Sequence, residues 1–316
     1  MWPLALRTLA AHMGRLSLFV ATACAASVCA CGSSSPAPSA GANAIVARVG
    51  STSITQALFD VRLQSALTAI QQGGGTTANA AMQVQVRASV LRSLVLDSII
   101  ASEAASRGLA ATGAQVQAQV DADARAVGGL STLQSQLASA GGSLAQLQDE
   151  IRSQLNEQRL EDAFAQERAA QAEEQLASGT VFATVAKEMS DDTNTSAIGG
   201  DLGAISQAQL GSYDPAFAAA VRSLAVGMYT LTPVHDAGGY DIIEVYARAA
   251  GSWSVRHILV AAPTPYTVTS RPAWFSEALF VTVAQLCGAG QIHVYIHDAG
   301  ADPCSGAPSF SATVTP

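Results

Sequence analysis

The hydrophobic period of this chain changes near residue 178, and that switch limits the folds open to it. Before it, apolar residues recur at helical spacing. After it come short helices, glycine-rich turns and segments that alternate apolar with polar residues. A helical region followed by a mixed region of antiparallel strands is an α+β chain in two parts. With 316 residues, 49% of them apolar, each part has enough to bury a core. The 16 Lys and Arg stand against 24 Asp and Glu, a formal charge of −8. That balance excludes a basic nucleic-acid stripe, so no nucleic-acid partner is expected.

Residues 83–106 carry the strongest helix signal. Leu91, Leu94, Val95 and Ile99 follow the i, i+3, i+4 pattern, while Leu96 and Ile100 widen the stripe enough to meet more than one neighbour. Gly108 is placed to stop this helix. A short strand is expected at 44–50, and Thr55 is a good N-cap for a helix over 56–71. Thr112-Gly113-Ala114-Gln115 fits a capping box opening a third helix; Ser143 opens a fourth that runs through Ile151, Leu155 and Leu160 towards Leu176. In the second part, 180–189 reads as a short helix and 190–194 as a polar loop. Asp214-Pro215 supplies an N-cap and N1 proline for a helix through Phe217, Val221 and Leu224. Strands are expected at 229–235, 240–246 and 253–260, then a helix at 274–286 and a strand at 292–297.

The first thirty residues read as a targeting segment. Arg7, His12 and Arg15 precede an uncharged apolar run at 16–30, short for a helix spanning a ~30 Å hydrocarbon layer. The run ends Val28-Cys29-Ala30-Cys31, ahead of a tether of small residues and proline at 31–44. This resembles a bacterial lipobox. The resemblance implies that 1–30 is a lipoprotein signal peptide, that Cys31 carries lipid, and that the mature protein is extracytoplasmic and anchored to the bacterial cell membrane. Cys24 and Cys29 then leave with the leader. Cys287 and Cys304 remain either as a disulfide, which would contribute roughly 3 kcal/mol in the chain-entropy picture, or as two free thiols.

Two further resemblances rest on motifs in order. Val46-Ala47-Arg48-Val49-Gly50, Ile54-Thr55, Leu94-Val95-Leu96-Asp97-Ser98-Ile99-Ile100 and Arg107-Gly108-Leu109 resemble the N-terminal region of SurA/PrsA-type extracytoplasmic foldases. Residues 171–247 resemble a parvulin (PpiC-type) peptidyl-prolyl isomerase domain. They carry Gly179-Thr180-Val181-Phe182-Ala183, Ala186-Lys187-Glu188-Met189-Ser190, Gly199-Gly200-Asp201-Leu202-Gly203 and Gly239-Tyr240-Asp241-Ile242-Ile243-Glu244-Val245. The resemblance implies a helical chaperone-like domain at 45–165, completed by 266–316, and a parvulin-like antiparallel-sheet domain at 166–262. It implies peptidyl-prolyl isomerisation and chaperoning of unfolded or partly folded exported polypeptides at their X-Pro segments. A catalytically inactive holdase is the alternative.

Two departures from the parvulin pattern matter. The family's opening strand, Arg-His-Ile-Leu-Val, is missing ahead of Ala172. It occurs instead as Arg256-His257-Ile258-Leu259-Val260, after the last parvulin strand. A hairpin folding back from Tyr246 would fill the vacant central position from the wrong end, a circular permutation. A relic of a second, truncated repeat is the other reading. The second departure is Asp241, where the family usually has His. A hairpin centred near residue 249 sets Asp241 opposite His257, with a slip of two residues open. An Asp–His pair would relieve the cost of a carboxylate on the apolar face; a solvated Asp at a strand start is the bland alternative.

Carried over by motif, the polar side of the site is His257, Asp192 and Asp241, and the proline pocket is Leu202, Leu210 and Phe217. Leu202 and Phe217 could equally be plain core residues, and Asp192 could cap a turn. No cofactor or metal is expected. His293 and His297 share a strand face but stand roughly 13 Å apart, too far for one ion.

Overall fold

The structure, a computed structural model, describes residues 41, 43–75, 79–264, 272–296 and 302–304. Residues 1–30, expected as a leader, and Cys31 therefore lie outside the described residues, as does most of the stretch expected as a tether. The chain divides into two compact units, Met1–Glu157 with Phe280–Pro316, and Gln158–Leu279. Among the described residues no helix is long and apolar enough to cross a membrane.

The first unit is built on a three-stranded antiparallel sheet. Strand β1 (Ile45–Val49) lies between β2 (Thr52–Thr55) and the late strand β8 (Ile292–Val294), so the C-terminal segment completes the N-terminal sheet. The hydroxyl of Thr55 accepts the Leu58 N–H and starts helix α1 (Gln56–Gln72). Helix α2 (Ala80–Ser106) begins earlier than the apolar pattern predicts, because the Asn79 side chain accepts the Ala81 N–H at 2.8 Å and caps it. Phe59 and Leu63 of α1 pack with Leu91, Val95 and Ile99 of α2 over Val46, Val49, Ile54 and Ile292.

The capping box of Thr112 and Gln115 opens α3 (Gly113–Ala126). Gly128 and Gly129, both at positive φ, break the chain before α4 (Leu130–Ser139), a helix that the sequence reading left unassigned. Its Leu133 and Leu137 join Val116, Val120, Leu147 and Ile151 in a separate core cluster. The last two of these begin α5 (Leu144–Ala177), an unbroken helix as the periodicity predicts.

The second unit takes the C-terminal half of α5, then α6 (Phe182–Met189), a 3₁₀ turn (Ser196–Ile198) and β3 (Asp201–Ser206). Next come α7 (Gln207–Leu210), α8 (Pro215–Ser223), β4 (Met228–Tyr229), β5 (Val234–His235), β6 (Gly239–Ala249) and β7 (Ser252–Ala261). The stretch expected as one strand at 229–235 is thus two short pieces flanking Pro233, which has no N–H to give a ladder. The sheet order is β3-β7-β6-β4, with β5 also on β6. The late strand β7 is therefore central, antiparallel to both β3 and β6.

The two faces of this sheet separate cleanly. Ile242 and Ile258 pack on Val185, Ala186 and Met189 of α6 and on Ala172 and Leu176 of α5. Ile243, Val245 and Val255 face Leu210, Phe217 and Val221 on the other side. The unit boundary falls inside α5 at Glu157/Gln158, not at 165/166, and the second unit extends to Leu279, not to 262. The cause is packing: Phe164 meets Phe275 edge-on at 5.8 Å, and the Trp274 indole donates to Asp191 at 2.8 Å. Both aromatics belong to α9 (Ala273–Gly288), whose last turn carries Cys287.

Cys287 and Cys304 are joined by a disulfide across a sequence separation of 17. Replacing both by Ser should lower stability by roughly 3 kcal/mol in the chain-entropy picture. Chemical denaturation followed by far-UV circular dichroism would measure it; an unchanged midpoint would contradict the assignment of a stabilising staple.

Candidate active site

Strand β7 brings His257 to the centre of the sheet, and two glycines let the preceding loop reach it. Gly200 sits at φ +79 with its carbonyl accepting the His257 N–H at 2.9 Å; a Cβ there would collide with the His257 carbonyl oxygen. Gly199, at φ +78, is packed against Ala183, whose Cβ would meet an added Cβ at 2.6 Å. The paired glycines are required by close backbone approach as well as by left-handed φ.

The loop before them is laced to β7 on the same side. The Asp191 N–H donates to the Leu259 carbonyl at 2.7 Å, and Ser190 Oγ accepts the Leu259 N–H at 3.1 Å. Asp191 Oδ2 accepts the Ala261 N–H at 2.8 Å. Where β3 ends, this loop therefore satisfies the exposed edge of β7.

The result is a histidine held between two carboxylates. His257 Nδ1 lies 2.7 Å from Asp241 Oδ1, and Nε2 lies 3.0 Å from Asp192 Oδ2. Thr195 Oγ1 donates to Asp192 Oδ2 at 2.5 Å and stands 3.3 Å from His257 Nε2. Asp192 Oδ1 accepts from the Asn194 backbone and side chain. All three members of the Asp–His–Asp chain are largely buried, with Asp241 the most so.

Register explains how Asp241 gets there. It pairs with Leu259, and Ile243 pairs with His257, two residues away from the register expected of a hairpin centred on 249. The tight turn at Ala250-Gly251 and an irregularity between Val245 and Ala247 set that offset. Asp241 and His257 are thus diagonal neighbours on one face, still within reach of an Asp and an imidazole.

The electrostatics follow from burial against pairing. Burial works against a charged imidazole, but the hydrogen bonds and charges of Asp241 and then Asp192 outweigh it, and His257 titrates above its ordinary 6.5. Burial also opposes the Asp192 carboxylate; donation from Thr195, His257 and the Asn194 N–H holds it below 3.8 nonetheless. For Asp241 burial dominates and raises the pKa, with His257 pulling the other way and Asp236 adding to the rise. The pair therefore keeps its bridging proton to a higher pH than a free imidazole would.

A pocket of about 210 Å³ opens beside the histidine, lined by Tyr213, Phe217, Leu259, Asp214, Asp236 and Asp241 among others. That is smaller than a typical small-molecule site and suits a single side chain or ring. Tyr213 stacks on Phe217 at 5.0 Å, and Phe217 meets the His257 ring edge-on at 6.0 Å. Of the three residues expected to grip proline, only Phe217 lines this pocket. Leu210 is fully buried and supports Phe217 from behind, and Leu202 packs at the edge of the same cluster. Leu210 is a core residue because α7 turns it inwards under α8, while Leu202 stays half-buried. Tyr213, Leu259 and Thr195 were missed by sequence reasoning; for Thr195 the signal was its place three residues after Asp192 in a polar turn.

Comparison with known proteins bears on both parts of the chain. A family model described as Rotamase, the PPIC-type PPIASE domain, matches residues 151–247. A second, described as the SurA-like N-terminal domain, matches residues 6–193. The chain belongs to the SurA-like family of foldases and carries a PPIC-type peptidyl-prolyl isomerase domain. Among solved structures it is similar to the foldase protein PrsA from Streptococcus pneumoniae str. Canada MDR_19A, at 13% identity and a TM-score of 0.29, over 78% of this chain and 94% of that one. No curated protein matches it. Strand β7, with His257, lies beyond the matched isomerase segment.

The sign of the histidine shift gives a test. Because the folded pKa lies above 6.5, the stability it contributes is full below pH 6.5 and is lost as pH rises through the folded value. Imidazole NMR titration should place the His257 midpoint above 6.5, and Asp241→Asn should move it down. A midpoint unaltered by Asp241→Asn would show that the carboxylate does not hold the proton.

Proposed function

We propose that this site is catalytically competent and isomerises X-Pro bonds in unfolded or partly folded exported polypeptides. We further propose that the protein works from the outer face of the bacterial cell membrane, tethered through lipid on Cys31 after loss of residues 1–30. The supporting observation is the Asp241–His257–Asp192 chain beside the Phe217 pocket.

The reaction needs no bond broken. Rotation about the prolyl amide faces a barrier of ~18–20 kcal/mol because resonance places partial negative charge on the carbonyl oxygen and double-bond character in C–N. Each ~1.4 kcal/mol removed from that barrier is a tenfold gain. Tyr213, Phe217 and Leu259 offer an apolar wall for the proline ring, which excludes water from the amide. Both imidazole nitrogens are engaged by carboxylates, so His257 has no proton to hand to substrate. Its part is to hold Asp192 and Asp241 in place. Two carboxylates against one imidazolium leave net negative charge, which disfavours the planar, charge-separated amide relative to the twisted one.

The displaced strand supports a permuted order over a relic of a second repeat. β7 hydrogen-bonds to both β3 and β6 and supplies the histidine that the family carries on its opening strand. The second reading, an inactive holdase, rests on Asp241 standing where the family usually has His.

Proline-limited refolding assays should show acceleration by the protein, and His257→Ala should abolish most of it while leaving suppression of client aggregation intact. No acceleration by the wild type, with aggregation still suppressed, would establish the holdase reading instead. In cells, Cys31→Ala should release the protein from the membrane fraction; retention there would exclude the lipid tether.

A further inference from the structure

The loop that carries Asp192 holds a second hydroxyl-bearing residue that no family motif assigned. Thr195 is buried, with 8% of its surface exposed, so it stands behind the site and away from any substrate. Its backbone closes the loop at both ends. Its N–H donates to the Asp192 carbonyl at 3.1 Å, and its own carbonyl accepts the Gly200 N–H at 2.9 Å. Gly200 in turn accepts from the His257 N–H at 2.9 Å. One covalent and hydrogen-bonded path thus runs from Asp192 through Thr195 and Gly200 to the backbone of the strand bearing His257.

The side chain completes the ring. Protons can be assigned in one consistent way with His257 charged: Nδ1–H to Asp241, Nε2–H to Asp192, and the Thr195 hydroxyl to the same Asp192 oxygen. Without that hydroxyl, Asp192 Oδ2 would keep only the imidazole. Its other oxygen would still be drawn towards Asn194, leaving the imidazole alone to hold Oδ2 against that pull. Of the neighbouring hydroxyls, Ser190 Oγ is held over the Asp192 and Leu259 N–H groups, and Thr193 is exposed.

We propose that Thr195 is a positioning residue of the isomerase site, whose hydroxyl locks the Asp192 carboxylate onto His257 Nε2. The proposal rests on the site assignment made above and deepens it. It predicts that the hydroxyl, and not the bulk of the side chain, is what matters. The lowered pKa of Asp192 agrees, since donation by Thr195 is the foremost influence favouring its ionised form.

The test compares Thr195→Val, which keeps the branched shape, with Thr195→Ser, which keeps the hydroxyl. Carboxyl ¹³C titration of Asp192 should move up in Thr195→Val and return towards wild type in Thr195→Ser. In the proline-limited peptide assay, kcat/KM should fall about tenfold in Thr195→Val, through kcat more than KM, and recover in Thr195→Ser. An Asp192 titration unchanged in Thr195→Val overturns the proposal. So does a loss in Thr195→Ser as large as that in Thr195→Val. If the wild type itself lacks isomerase activity, the site assignment fails, while the Asp192 titration still decides whether Thr195 holds the carboxylate.

Discussion

The second unit depends on backbone pairing of β7 with strands on either side of it. A central strand has donors and acceptors along both edges, and each buried group left unpaired costs on the order of 1–3 kcal/mol. Here β6 satisfies one edge from Gly239 to Ala249. The other edge is shared: β3 serves it up to Arg256, Gly200 takes the His257 N–H, and Ser190 and Asp191 serve Leu259 and Ala261. The segment that satisfies this second edge is the one that carries Asp192 and Thr195. Building the sheet and assembling the site are consequently the same event.

That economy explains the chemistry of the polar chain. A lone carboxylate among Ile243, Val245 and Val255 would be expensive to bury, and a lone imidazolium equally so. Paired diagonally on one face, they offset each other, and Asp192 covers the remaining ring nitrogen. On the opposite face the same strands carry Glu244 and Arg256, ion-paired and packed against Phe182 and Tyr246. Asp241 with His257 and Glu244 with Arg256 are thus matched across the hairpin, which fixes its register against a one-residue slip that would place these partners on the wrong face.

Much of this was legible in the sequence, and the misses have physical causes. Helix caps at Thr55, Thr112 and Asp214 were readable because capping is local chemistry, and so was the continuity of α5. The glycine pair at 199–200 was recognisable as a motif, but its collision with the His257 carbonyl is a tertiary fact. The pairing of Asp241 with His257 was expected with a slip of two residues left open, and the structure takes the slipped register, because turn length and a strand irregularity escape periodicity. Leu210 was expected at the substrate surface and lies in the core, since alternation does not tell a pocket wall from the layer beneath it. Helix α4 was hidden by the glycines before it, and the unit boundaries by helices that run through them.

Native-state hydrogen exchange of the β7 amides tests the central claim most directly. If β7 is the middle strand, the amides of Val255, His257, Ile258 and Val260 should be among the slowest to exchange in the second unit, matching those of Ile242 and Ile243 in β6. Exchange of those β7 amides at the rate of an exposed edge or loop, with β6 still protected, would contradict it.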